Sequence, residues 1–278
     1  MRHPLVRAIV GFIFISMVIG LSQAALTMLF GDVNPAISVL LALLTVLVVL
    51  GAYALFVRLL ERRPVTELST RGALAELAAG IALGGGLMTI IVALLWVLGY
   101  YRVIQVNGFS AMLPMLALAI TSGVTEEVLF RGIFFRLLEK AAGTVIALAV
   151  TSLFFGLVHM ANPNASLLAA LAIALEAGIM LGAAFMLTRR LWLAIGIHFA
   201  WNFAQGGIFG VPVSGISLPG LLQPRIAGPE LLTGGPFGVE ASLLALALCL
   251  VAGLLLVQRA RQRGHWVSAP WTRAKPSA

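Results

Sequence analysis

Eight apolar stretches dominate this chain, at 8–30, 36–58, 74–99, 111–138, 143–162, 165–188, 191–209 and 238–258. Each approaches the roughly 20 residues that a helix needs to cross a bilayer. A helix satisfies its own backbone in lipid, so the expected fold is an all-α polytopic transmembrane bundle of about eight spans. Composition agrees: of 278 residues, 61% are hydrophobic and 10% charged, where a soluble domain carries about a quarter charged. Little chain remains for a separate soluble domain. The only cysteine, Cys249, lies within the last apolar stretch, which excludes an intrachain disulfide and a cysteine metal cluster.

The net charge of +8 is first a topology signal and implies no nucleic-acid partner. With the N-terminus cytoplasmic, only Arg102 and Arg225 of the 18 Lys and Arg fall on the outer side. Arg131 and Arg136 lie within a helix and count for less. The pattern places both termini and the 58–72 loop in the cytoplasm, and makes the protein a multi-pass protein of the cell membrane. Arg2 and Arg7 before an apolar run that reaches Ser22-Gln23-Ala24 also have the shape of a cleavable signal. The run continues through Leu29 and Phe30, so an uncleaved anchor is expected. The chain divides into N-terminal transmembrane helices at 1–60, a core at 61–258 and a basic cytoplasmic tail at 259–278. Gly80, Gly84, Gly85 and Gly86 in the third stretch are read as a close helix-packing surface, and 206–237 as an ordered external loop.

Ionisable and polar groups at depth mark a function or a buried pair. They are Glu126, Glu127 and Arg131, then His159, Glu176, and His198 with Asn202. Glu127 and Arg131, four apart on a helix, can pair, while Glu126 points about 100° away. One carboxylate is therefore held by the guanidinium and the other is left for a cavity. A turn near Lys140 to Gly143 puts Glu126 and His159 roughly 20–25 Å along antiparallel neighbours, where carboxylate and imidazole can share a water. His198 and Asn202 share a helix face. Glu176 is left without a role, open between a structural acid, a partner for another helix and a substrate contact.

TEEVLFRG, with Glu126, Glu127 and Arg131, FGLVH, with Phe155 and His159, and HFAWN, with His198 and Asn202, follow in the order EExxxR, FxxxH, HxxxN. The chain thereby resembles the CPBP family of intramembrane endopeptidases, which includes the Ras-converting CAAX prenyl proteases and bacterial Abi-type proteins. LTGGPFGVEAS also reads like bacterial members, and the likeness spans roughly residues 61–255. The resemblance implies that 61–258 is a protease core in which Glu126 and His159 activate water, His198 and Asn202 stabilise the oxyanion, and Glu127 and Arg131 hold the site together. It implies a membrane-embedded or lipidated protein substrate, with removal of a C-terminal tripeptide from a prenylated CAAX protein as one form and cleavage of unmodified membrane peptides as the other. No cofactor is required in this reading; the alternative is a zinc ion held by His159, His198 and Glu126. A non-catalytic immunity or scaffold protein of the same fold and a proton-coupled transporter are the competing functions. Neither HExxH nor GxSxG occurs.

Overall fold

A computed structural model describes residues 3–31 and 33–272. Arg2, Arg273 and Lys275, counted above with the basic face, and the end of the 259–278 tail lie outside the described residues. Helix α1 (Pro4–Phe30) is followed by α2 (Pro35–Phe56), whose start is set by Asn34: its side chain accepts the amides of Ala36 and Ile37 at 3.0 Å, with Pro35 in the first turn. After α3 (Ala73–Val97) comes strand β1 (Tyr101–Val106). Helix α4 (Leu113–Glu127) runs through a π-helical segment, Val128–Phe135, into α5 (Arg136–Ala142). Gly143, at φ 85°, then reverses the chain into α6 (Thr144–Val158). Helix α7 (Leu167–Ile173), capped by Ser166, passes through the π-helical turn Ala174–Gly178 into α8 (Ile179–Thr188). Helix α9 (Trp192–Asn202) has a π-helical extension, Phe203–Ile208. Strand β2 (Leu222–Ile226), the short α10 (Glu230–Thr233) and α11 (Leu243–Gln262), capped by Ser242, complete the chain.

Among the described residues, seven helical stretches are long and apolar enough to cross a membrane. The eighth stretch expected from the sequence corresponds to α9 with its extension, about 25 Å long at 1.5 Å per residue. It is counted as a crossing because both described ends of the chain sit at one end of the bundle. Ala8 near the start of α1 and Ala260 near the end of α11 join the same core cluster as Val57 and Leu137. An even number of passages is needed for that.

That end carries the ionic contacts. Arg136 and Arg63 both reach Glu61, at 2.8 and 2.7 Å, Arg189 pairs with Glu139, and Arg190 with Glu76. At the other end β1 and β2 form an antiparallel ribbon in which Arg102 and Arg225, the two basic residues that the sequence set apart, face each other in register. The ribbon is a small addition to a fold that is all-α as expected. Its β-branched Val103, Ile104 and Val106 favour extended backbone, and the Tyr101 hydroxyl anchors it by donating to the Phe209 carbonyl at 2.8 Å.

Helix α9 is held against α3 at close range. A Cβ on Gly80 or Gly84 would stand 2.4 Å from the Leu193 carbonyl oxygen or 2.3 Å from that of Ile197, and one on Gly196 would stand 2.5 Å from the Leu77 carbonyl oxygen. Small residues let backbones approach where lipid supplies no hydrophobic drive. The expected packing surface is thus narrower than the sequence suggested: Gly85 meets only Ala200, at 3.9 Å, and Gly86 meets nothing within 4 Å. This contact matters because α9 carries His198 and Asn202.

Candidate active site

Leu118, Ser122 and Glu126 recur every fourth residue of α4, so they form one face of that helix, and all three line a cavity of about 800 Å³ with its mouth included. His159, Asn162, Ser214 and Ile216 also line it, from the half of the bundle nearest the ribbon. Helix α4 turns Glu127 away from this face. The two acids accordingly have different surroundings: Glu127 is 0% exposed, whereas the Glu126 side chain is 30% exposed.

Glu127 is the centre of the buried network. Its Oε1 accepts from Arg131 Nη1 at 2.8 Å and from His198 Nδ1 at 2.8 Å. The first bond is the one expected from spacing; the second joins α4 to α9 and was not foreseen. Arg131 further donates to the carbonyls of Ala177 and Gly178 at 3.3 and 3.2 Å, and its guanidinium lies 4.6 Å from the centre of the Phe155 ring. One cation thus ties α4, α6 and the α7–α8 helix together. The π-helical register after Glu127 begins at this network, a common location for such bulges.

His159 ends α6, and its Nδ1 donates to the Phe155 carbonyl at 2.7 Å, leaving Nε2 as the free nitrogen. The Phe155 ring stands between the two histidines, with centroids 4.9 Å from His159 and 6.1 Å from His198. With its Nδ1 on Glu127, His198 presents Nε2 to Glu126, whose Oε2 is 3.9 Å away. Asn202 donates one amide hydrogen to Ser122 Oγ at 3.0 Å, which fixes its head group and leaves the second hydrogen free. Glu126, His159, His198 and Asn202, selected from sequence, therefore line one cavity, and Glu127 and Arg131 lie behind it.

Among the described residues no three His, Cys, Asp or Glu are grouped to hold a metal ion, while both histidines have Nδ1 held by an acceptor and Nε2 left over, an arrangement that serves a zinc ligand as well as a proton carrier.

The sequence reading left out Glu240. It precedes α11 and accepts from the Ser214 amide and hydroxyl at 3.0 and 2.9 Å and from Gln205 Nε2 at 2.7 Å. Burial pushes its carboxyl above the usual range, against the lowering effect of those donors. The LTGGPFGVEAS segment contained it as its one acid, but nothing in that string showed that its side chain would turn inward.

Residues 107–204 match the model of the type II CAAX prenyl endopeptidase Rce1-like family. The match takes in all seven motif residues and agrees with the resemblance drawn from them. No curated protein and no solved structure matches the chain.

Proposed function

We propose that this protein, a multi-pass membrane protein with an Rce1-like region, is an intramembrane endopeptidase that hydrolyses a peptide bond of a membrane-associated protein substrate. The observation that carries the reading is the unequal treatment of two adjacent acids: Glu127 is fixed between Arg131 and His198, while Glu126 faces the cavity.

Amide hydrolysis needs a base for water and donors for the developing oxyanion. Glu126 and the free Nε2 of His159 supply the base: they orient a water, and its proton passes to the Glu126–His159 pair as the oxygen attacks the carbonyl. The same proton is then delivered to the leaving amine. The oxyanion receives one hydrogen from the free amide hydrogen of Asn202 and one from His198 Nε2. In this role His198 donates from both nitrogens, Nδ1 to Glu127 and Nε2 to the oxyanion, and so acts as the imidazolium.

By the positive-inside rule the ion-paired end faces the cytoplasm, so both termini are cytoplasmic. The test is cleavage of an internally quenched apolar peptide by the purified full chain in detergent, without any ion gradient. Hydrolysis that Glu126→Gln abolishes supports the reading; no hydrolysis of a broad peptide pool by well-folded protein would return the chain to the transporter or non-catalytic class.

A further inference from the structure

Three carboxyl groups face the cavity, and the hydrolytic reading uses only Glu126. Glu176 and Glu240 remain. Glu176 lies on the π-helical turn between α7 and α8, is 1% exposed, and has no hydrogen-bond partner at Oε2. Its position is tied to the reacting groups, since Arg131 grips the next two carbonyls of the same turn, Ala177 and Gly178. Glu240 is held from the other side by Ser214 and Gln205. A buried polar oxygen without a donor is costly, and no Lys or Arg lines this cavity, whose two histidines are assigned to the water and the oxyanion.

We propose that Glu176 and Glu240 form a subsite for a cationic group of the substrate, a Lys or Arg side chain or an amine, beside the scissile bond. The inference rests on the cavity being the protease's substrate site and specifies the substrate class.

The experiment uses the full chain in detergent with Glu126→Gln, which permits binding without turnover. The probes are three labelled apolar decapeptides, blocked at both ends, that differ only in a central Lys, norleucine or Glu. Fluorescence anisotropy is expected to show the Lys peptide binding at least about tenfold tighter than the norleucine peptide, the scale of a charge-assisted hydrogen bond, with the Glu peptide weakest. Adding Glu176→Gln brings the Lys peptide down to the norleucine level, and Glu240→Gln lowers it independently, which covers a misfolded Glu176 variant. Equal affinities, no binding of any peptide, or a Lys preference that survives both substitutions would overturn the subsite. Wild-type cleavage without Lys preference removes the subsite and keeps the protease; Lys-selective binding with no cleavage does the reverse.

Discussion

Replacing Glu127 with Ala should damage both the fold and the chemistry, by separable amounts. The side chain is fully buried, and its Oε1 serves Arg131 and His198 at 2.8 Å each. Without it, the Arg131 guanidinium keeps only contacts that already exist: the two carbonyls at 3.3 and 3.2 Å and the Phe155 ring at 4.6 Å. None of these supplies the lost negative charge. An uncompensated buried cation costs about 3–5 kcal/mol, so thermal unfolding in detergent should shift down clearly, and yield should fall with it. Removing the cation as well, in Glu127→Ala with Arg131→Met, should restore most of the stability, since replacing both members of a buried pair by apolar groups is often neutral. Cleavage should stay lost in the double variant, because His198 still lacks the acceptor that orients it. Unfolding by fluorescence and turnover of a quenched peptide, measured on the same preparations, report the two effects. A Glu127→Ala protein with wild-type unfolding temperature and turnover would refute the network, and a double variant that regains turnover would refute the role given to His198.

Gly84→Leu should displace α9, because its Cβ alone would meet the Ile197 carbonyl oxygen at 2.3 Å; overpacking of this kind costs about 1–3 kcal/mol, and both unfolding temperature and turnover should drop, while Gly86→Leu, facing open space, should leave both near wild type. In a Cys249→Ala background, a cysteine at Arg62 should resist an impermeant maleimide applied to intact cells and one at Arg225 should react; the opposite pattern would reverse the orientation. Exhaustive chelation should leave turnover intact, and stoichiometric zinc whose removal and return switch activity off and on would move His159 and His198 into a ligand role. Asn202→Ala should lower kcat by about 10²–10³, the usual cost of one oxyanion donor, with little change in KM; an equal change in both would place Asn202 in substrate binding instead.

The helices, their number and the Glu127–Arg131 pair were legible in the sequence because each depends on neighbours within one segment. Hydropathy marks a span, and a spacing of four marks one helix face. The Glu127–His198 bond, the Asn202–Ser122 bond and the inward turn of Glu240 were not legible. They depend on how one helix is rotated against another, and helices apolar on every side carry no periodic pattern that fixes this phase. The glycines illustrate the point: four in one stretch looked equivalent, but only the two that face α9 are in close contact. The ribbon was missed for a different reason. Tyr101–Val106 is too short to register against the spans on either side, and its partner lies across four helical crossings.

The central claim is that Glu126 hydrolyses peptide bonds from within this cavity, and the most direct measurement compares wild type with Glu126→Gln on one peptide pool, by mass spectrometry, in detergent and without a gradient. Wild type should generate new peptide ends at a defined position. Glu126→Gln should elute and unfold like wild type and generate none, whereas a Glu126→Gln protein that cleaves at the wild-type rate would contradict the claim.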